Sequence, residues 1–137
     1  MSSPDVRLDT TVTAIGELAD TFLAEGIVVL FGDDAPEELQ EVAVVHHATV
    51  NAGGVSPGDR VVVSGTDGDA VIEVLAVGDV ANDNLVNLGH LVLKRNGSTE
   101  AALPGDVCCD EGPLPAIAVG DRITVTAPTG AQESSDE

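Results

Sequence analysis

Apolar residues in this chain fall in short runs with a spacing of two, and that pattern limits the fold more than any other feature. From residue 6 to 14, Val6, Leu8, Thr10, Val12 and Ala14 alternate with Arg7, Asp9, Thr11 and Thr13. Successive side chains of an extended backbone point to opposite faces, so the alternation predicts a half-buried strand over residues 6–15. Residues 27–31 form a shorter, wholly apolar run. Residues 42–50, 60–64, 70–77, 90–95 and 122–126, with a short piece around Val107, repeat the strand signature. Val fills 21 of the 137 positions, and β-branched residues suit a pleated, half-buried surface.

Turn chemistry divides these runs. Gly16, Pro57-Gly58, Asp67-Gly68 and Gly89 each follow or precede one of them. Asn96-Gly97 is a strong hairpin signal and predicts a partner strand over residues 99–103. Three segments suggest brief helical turns: residues 17–25; residues 36–40, where Pro36 is followed by Glu37 and Glu38; and residues 80–88, stopped by Gly89. Seven or eight short strands with two or three helical turns predict an all-β fold, a small antiparallel β-barrel in one domain over residues 1–126. Residues 127–137 carry no apolar pattern and are expected to form a disordered acidic tail.

Charge narrows the function classes. Asp plus Glu number 24 against 5 Lys plus Arg, a formal net charge of −19. Nucleic acids and anionic membrane surfaces both require a basic patch, which this chain lacks. The acids are spread along nearly the whole sequence, as expected of a halophile protein kept in concentrated salt. An acidic surface shaped for one basic partner would cluster them instead. The N-terminus has neither a basic nor an apolar leader segment, and no apolar run is long enough to span a bilayer, so the expected location is the cytoplasm.

The reactive side chains are His46, His47, His90, Cys108 and Cys109. Adjacent cysteines make a strained disulfide that closes almost no loop, and they lack the spacer that turns two thiolates towards one zinc ion. No metal or cofactor is therefore expected. A neutral imidazole at a strand end can accept a phosphoryl group on a ring nitrogen. His46 and His47 point to opposite faces if the backbone there is extended, so at most one of them faces a given pocket.

Several segments resemble the glucitol/sorbitol-specific IIA component of the bacterial sugar phosphotransferase system. They are Ala35-Pro36-Glu37-Glu38-Leu39 leading to Val45-His46, Pro57-Gly58, the run ending Asn84-Leu85-Val86-Asn87-Leu88-Gly89-His90, Leu103-Pro104-Gly105 and Gly112-Pro113. The resemblance spans roughly residues 6–126. It implies a β-barrel phosphocarrier that takes a phosphoryl group from the phosphocarrier HPr onto a histidine. The group then passes to the cognate IIB component, and the membrane IIC component phosphorylates the sugar during uptake. Through the acidic Ala-Pro stretch, the resemblance assigns the phosphohistidine to His46. Its members carry a second histidine two positions on, where this chain has Ala48; here the next residue, His47, is the alternative acceptor. His90 is a candidate for steadying the phosphoryl group.

Phosphoryl transfer needs compensation for negative charge, yet no Lys or Arg lies within ten residues of His46. Backbone N–H groups of residues 51–54, the Thr49 hydroxyl, His90 or basic residues of a docked partner remain to supply it. A non-catalytic β-barrel binding or regulatory module that kept the fold is the competing reading from a different class. The carrier reading also carries a structural requirement: the reacting ring has to lie within reach of a visiting protein.

Overall fold

The computed structural model describes residues 5–51, 54–65 and 68–127. Eight strands and three short helices follow in the order β1 (Asp5–Ile15), α1 (Ala19–Ala24), β2 (Ile27–Gly32), α2 (Glu37–Gln40), β3 (Val44–Asn51), β4 (Arg60–Gly65), β5 (Gly68–Val77), α3 (Ala81–Leu88), β6 (Leu91–Lys94), β7 (Asp106–Cys109) and β8 (Arg122–Ala127). Each strand bonds to two neighbours in a closed barrel ordered β1-β3-β2-β6-β7-β5-β4-β8. The tail expected over residues 127–137 loses its first residue, Ala127, to β8, and residues 128–137 lie outside the described residues.

The period of two in the sequence becomes the inside of the barrel. Leu8 and Val12, Val28 and Leu30, Val61 and Val63, Ile72 and Val74, Leu91 and Leu93, and Ile123 and Val125 are all fully buried, and they form one contiguous core. An interior of eight strands is just wide enough for such side chains to fill. Removing one methylene from water contributes about 0.8 kcal/mol, so this file of Val, Ile and Leu is the main stabilising term.

Two expectations are corrected. The barrel is not wholly antiparallel, because β2 runs parallel to β3 and β6 runs parallel to β7. The Asn96-Gly97 hairpin does not form either. Residues 99–103 make no strand, and the chain passes over them to enter β7. Asn96 Oδ1 accepts from the Ser98 N–H at 3.0 Å, Ser98 Oγ donates to the Glu100 carbonyl at 2.7 Å, and the Gly97 N–H donates to the Cys109 carbonyl at 2.8 Å. Local side-chain bonds thus replace the ladder that the dipeptide usually starts.

Helix α3 lies against the barrel with Ala81 and Leu85 buried. Asn82 pins its start, accepting from the Val55 N–H at 2.8 Å and donating to the Val55 carbonyl at 3.0 Å. Asn51, at the end of β3, donates to the Leu85 carbonyl at 2.8 Å. The helix ends on Gly89 in the left-handed conformation, φ 66°, which glycine adopts without steric cost. That turn sits on the backbone of Gly32, so the helix end, β2 and β3 converge.

Candidate functional site

At this convergence lies a cavity of about 600 Å³, walled by Phe31, Asp33, His46, His47, Leu88 and Gly89 among others. The strand alternation turns His46 inward, 2% exposed, and His47 outward, its side chain 67% exposed, yet both line this one cavity, against the expectation that at most one would; the His46 ring is also not within a visitor's reach in this resting arrangement.

Both ring nitrogens of His46 are engaged. Nε2 lies 2.7 Å from the carbonyl oxygen of Gly89, and Nδ1 lies 2.6 Å from the hydroxyl of Thr10. A carbonyl only accepts, so Nε2 carries the hydrogen and donates it. The lone pair of the neutral ring then sits on Nδ1 and accepts from Thr10. Burial pushes the ring's pKa below the ordinary histidine value. The bond to Gly89 and the charge of Asp33 push it up, while His47 pushes it down. The net direction is downward, which leaves a neutral imidazole.

His47 is held differently. Its Nδ1 donates to the Asp33 carboxylate at 2.6 Å, which leaves the Nε2 lone pair available. His90 bonds to neither of the others. Its Nδ1 donates to the Leu30 carbonyl at 3.2 Å, and its ring packs on Phe31 with centroids 4.7 Å apart. Thr49, another expected phosphate contact, donates its hydroxyl to the Asp9 carbonyl at 3.2 Å. Residues 52–53 of the expected anion-binding turn lie outside the described residues.

The cavity's charged wall residues, Asp33 and Asp34, are both acidic, and neither Lys nor Arg lines it. Cys108 and Cys109 are free and fully buried in β7. Burial pushes the Cys109 thiol up to about 12, so it does not ionise at neutral pH. Among the described residues, no group of three or more His, Cys, Asp or Glu side chains could hold a metal ion.

Sequence reasoning missed two participants, Thr10 and the Gly89 carbonyl. Thr10 left a trace: it is the one hydroxyl in the inward file Leu8, Thr10, Val12 of β1, where a polar group needs a buried partner. A carbonyl leaves no such mark.

The geometry is that of a barrel with a neutral, hydrogen-bonded imidazole in the wall of a cation-free cavity. Sequence comparison fixes its family: the family described as PTS system glucitol/sorbitol-specific IIA component matches residues 7–124. The chain belongs to that family. Curated relatives described as "PTS system glucitol/sorbitol-specific EIIA component" occur in Shigella flexneri and Escherichia coli (strain K12). Each is 37% identical over 110 residues, covering 80% of this chain and 85% of the relative. The crystal structure of a PTS system IIA component from Enterococcus faecalis V583 superposes with a TM-score of 0.67 at 27% identity, covering 84% of this chain and 96% of that one. As a IIA component the chain is a phosphoryl carrier acting between other proteins of the phosphotransferase system. Nothing in the fold or the comparisons favours the non-catalytic module. No helix among the described residues is long and apolar enough to cross a membrane.

Proposed function

We propose that His46 carries the phosphoryl group, on Nε2. The observation behind this reading is the asymmetry of the ring's surroundings. Nε2 faces Gly89, which lines the cavity, while Nδ1 faces Thr10, which is 0% exposed in the barrel interior. A visiting donor can approach only from the Gly89 side. In the resting state the Gly89 carbonyl caps Nε2, so the turn after α3 has to give way when a partner docks.

Because the cavity walls bring acids and no cation, the partner supplies the positive charge that steadies the transferring group. HPr fits this role as donor. The IIB component then accepts the group, and the IIC component delivers it to the sugar at the membrane. The curated relatives are named for glucitol/sorbitol, and we assign a sugar of that class to the same relay, with the carrier itself in the cytoplasm.

A second reading is favoured by one observation: Asp33 fixes the His47 tautomer with Nε2 open, the arrangement of an activated imidazole. One assay separates the two. The chain is incubated with labelled phosphoenolpyruvate, enzyme I and HPr, and acid-labile, base-stable phosphate is measured. His46→Gln is expected to abolish uptake, whereas His47→Gln still takes up label. The reverse pattern moves the acceptor to His47. In the same assay His90→Ala is expected to slow phosphorylation about tenfold or more if its ring steadies the phosphoryl group, and an unchanged rate removes it from the site.

A further inference from the structure

We propose that the Thr10 hydroxyl is a positioning group for His46, reversing its hydrogen bond to Nδ1 so that Nε2 becomes free to react: it donates in the resting protein and accepts in the phosphorylated one. This rests on His46 being the acceptor.

The hydrogen-bonding capacity of each partner limits which ring nitrogen can react. Nε2 attacks phosphorus only with its own lone pair, and in a neutral imidazole that lone pair exists only when the hydrogen is on Nδ1. In the resting structure the Gly89 carbonyl, 2.7 Å from Nε2, fixes the opposite tautomer. The group facing Nδ1 at 2.6 Å therefore has to satisfy both states. A hydroxyl has one hydrogen and two lone pairs, so it does this by rotating about its Cβ–O bond. A carbonyl in its place would hold only Nδ1–H, and an ammonium group would hold only the lone pair. A methyl would leave a buried nitrogen unpaired in either state.

The step balances. When Gly89 withdraws and water reaches the opened ring, Nε2 gives its proton to one water molecule and Nδ1 takes a proton from another, so the ring stays neutral. The Nε2 lone pair then forms the N–P bond while the N–P bond of the donor's phosphohistidine breaks, its electron pair returning to the donor imidazole. The product ring retains Nδ1–H and so bears one positive charge, set against the phosphoryl oxygens' negative charge; it donates that hydrogen to Thr10 Oγ1, and the ring keeps its orientation through both transfers.

The test uses the whole chain with ¹⁵N-labelled histidine and enzyme I, HPr and phosphoenolpyruvate as the phosphoryl source. In the resting spectrum the His46 hydrogen is expected on Nε2; after phosphorylation it is expected on Nδ1, with phosphorus on Nε2. Thr10→Val is expected to slow phosphorylation about 10- to 100-fold, by analogy with the loss seen when the group orienting a metal-bound imidazole is removed. Thr10→Ser, which keeps the hydroxyl, is expected to recover most of that rate. Undiminished labelling of His46→Gln would overturn the assignment of His46 itself. Labelling confined to His46 together with a wild-type rate for Thr10→Val would overturn the role of Thr10 alone. If Thr10→Val does not fold, the wild-type spectra and the Thr10→Ser rate decide: a resting hydrogen on Nδ1, phosphorus on Nδ1, or a Thr10→Ser rate cut as deeply as expected for Val overturns the proposal.

Discussion

At the scale of single residues, His46 couples function to stability through its proton. Its pKa is held below the ordinary value of 6.5 because burial disfavours the charged ring. The unfolded chain therefore binds a proton that the folded one refuses between those two values. Stability is full above about pH 6.5, falls as the pH drops through that window, and levels off once the folded ring also protonates. Urea midpoints measured from about pH 7.5 to about pH 5.5 are expected to fall more steeply for the wild type than for His46→Gln, which has no such proton to take up. That one histidine of the pair would point inward was legible, since alternation assigns faces one residue at a time. The ring's two partners were not. Thr10 is 36 residues away and Gly89 is 43 away in the opposite direction, and no local pattern encodes either separation.

At the scale of elements, the α3 turn controls access to the ring. Gly89 has φ 66°, and a Cβ there would sit 2.9 Å from both the N and Cα of Gly32 and 3.4 Å from Nε2 of His46. The left-handed conformation alone costs an L-residue about 1–2 kcal/mol, and a clash with backbone cannot be relieved by rotating a side chain. Gly89→Ala is expected to lower stability by about 2 kcal/mol or more, read from urea unfolding at fixed pH. The sequence marked this helix end clearly through Gly89, and Pro36 with its following acids marked α2. It misread Asn96-Gly97, because a dipeptide signal reports local turn preference and not whether the next residues have an inner face to bury. Residues 99–103 are Thr, Glu, Ala, Ala and Leu, and Leu103 is 57% exposed. Strand direction was equally hidden: the apolar run of β2 and the alternation in β6 report burial, while their parallel pairing with β3 and β7 is set by how the intervening segments cross the barrel.

At the scale of the whole molecule, a net charge of −19 acts on both folding and docking. Screening shortens from about 8 Å at physiological ionic strength to about 3 Å at 1 M, so salt relieves self-repulsion and weakens attraction to a basic partner. The melting temperature is expected to rise as KCl is raised from 0.1 M to 2 M, while the rate of phosphorylation by HPr falls over the same range. A melting temperature that drops across that series would contradict the reading of the charge as an adaptation to salt. The closure of the barrel bears on its synthesis. β1 pairs with β8, and Arg122 Nε donates to the Asp9 carboxylate at 2.7 Å across 113 residues of chain. At about 5–20 residues per second, a ribosome makes those two residues roughly 6–23 s apart. Throughout that interval one flank of the first strand has no mate, so each nascent chain passes a window in which neighbouring polysomes offer it the wrong one.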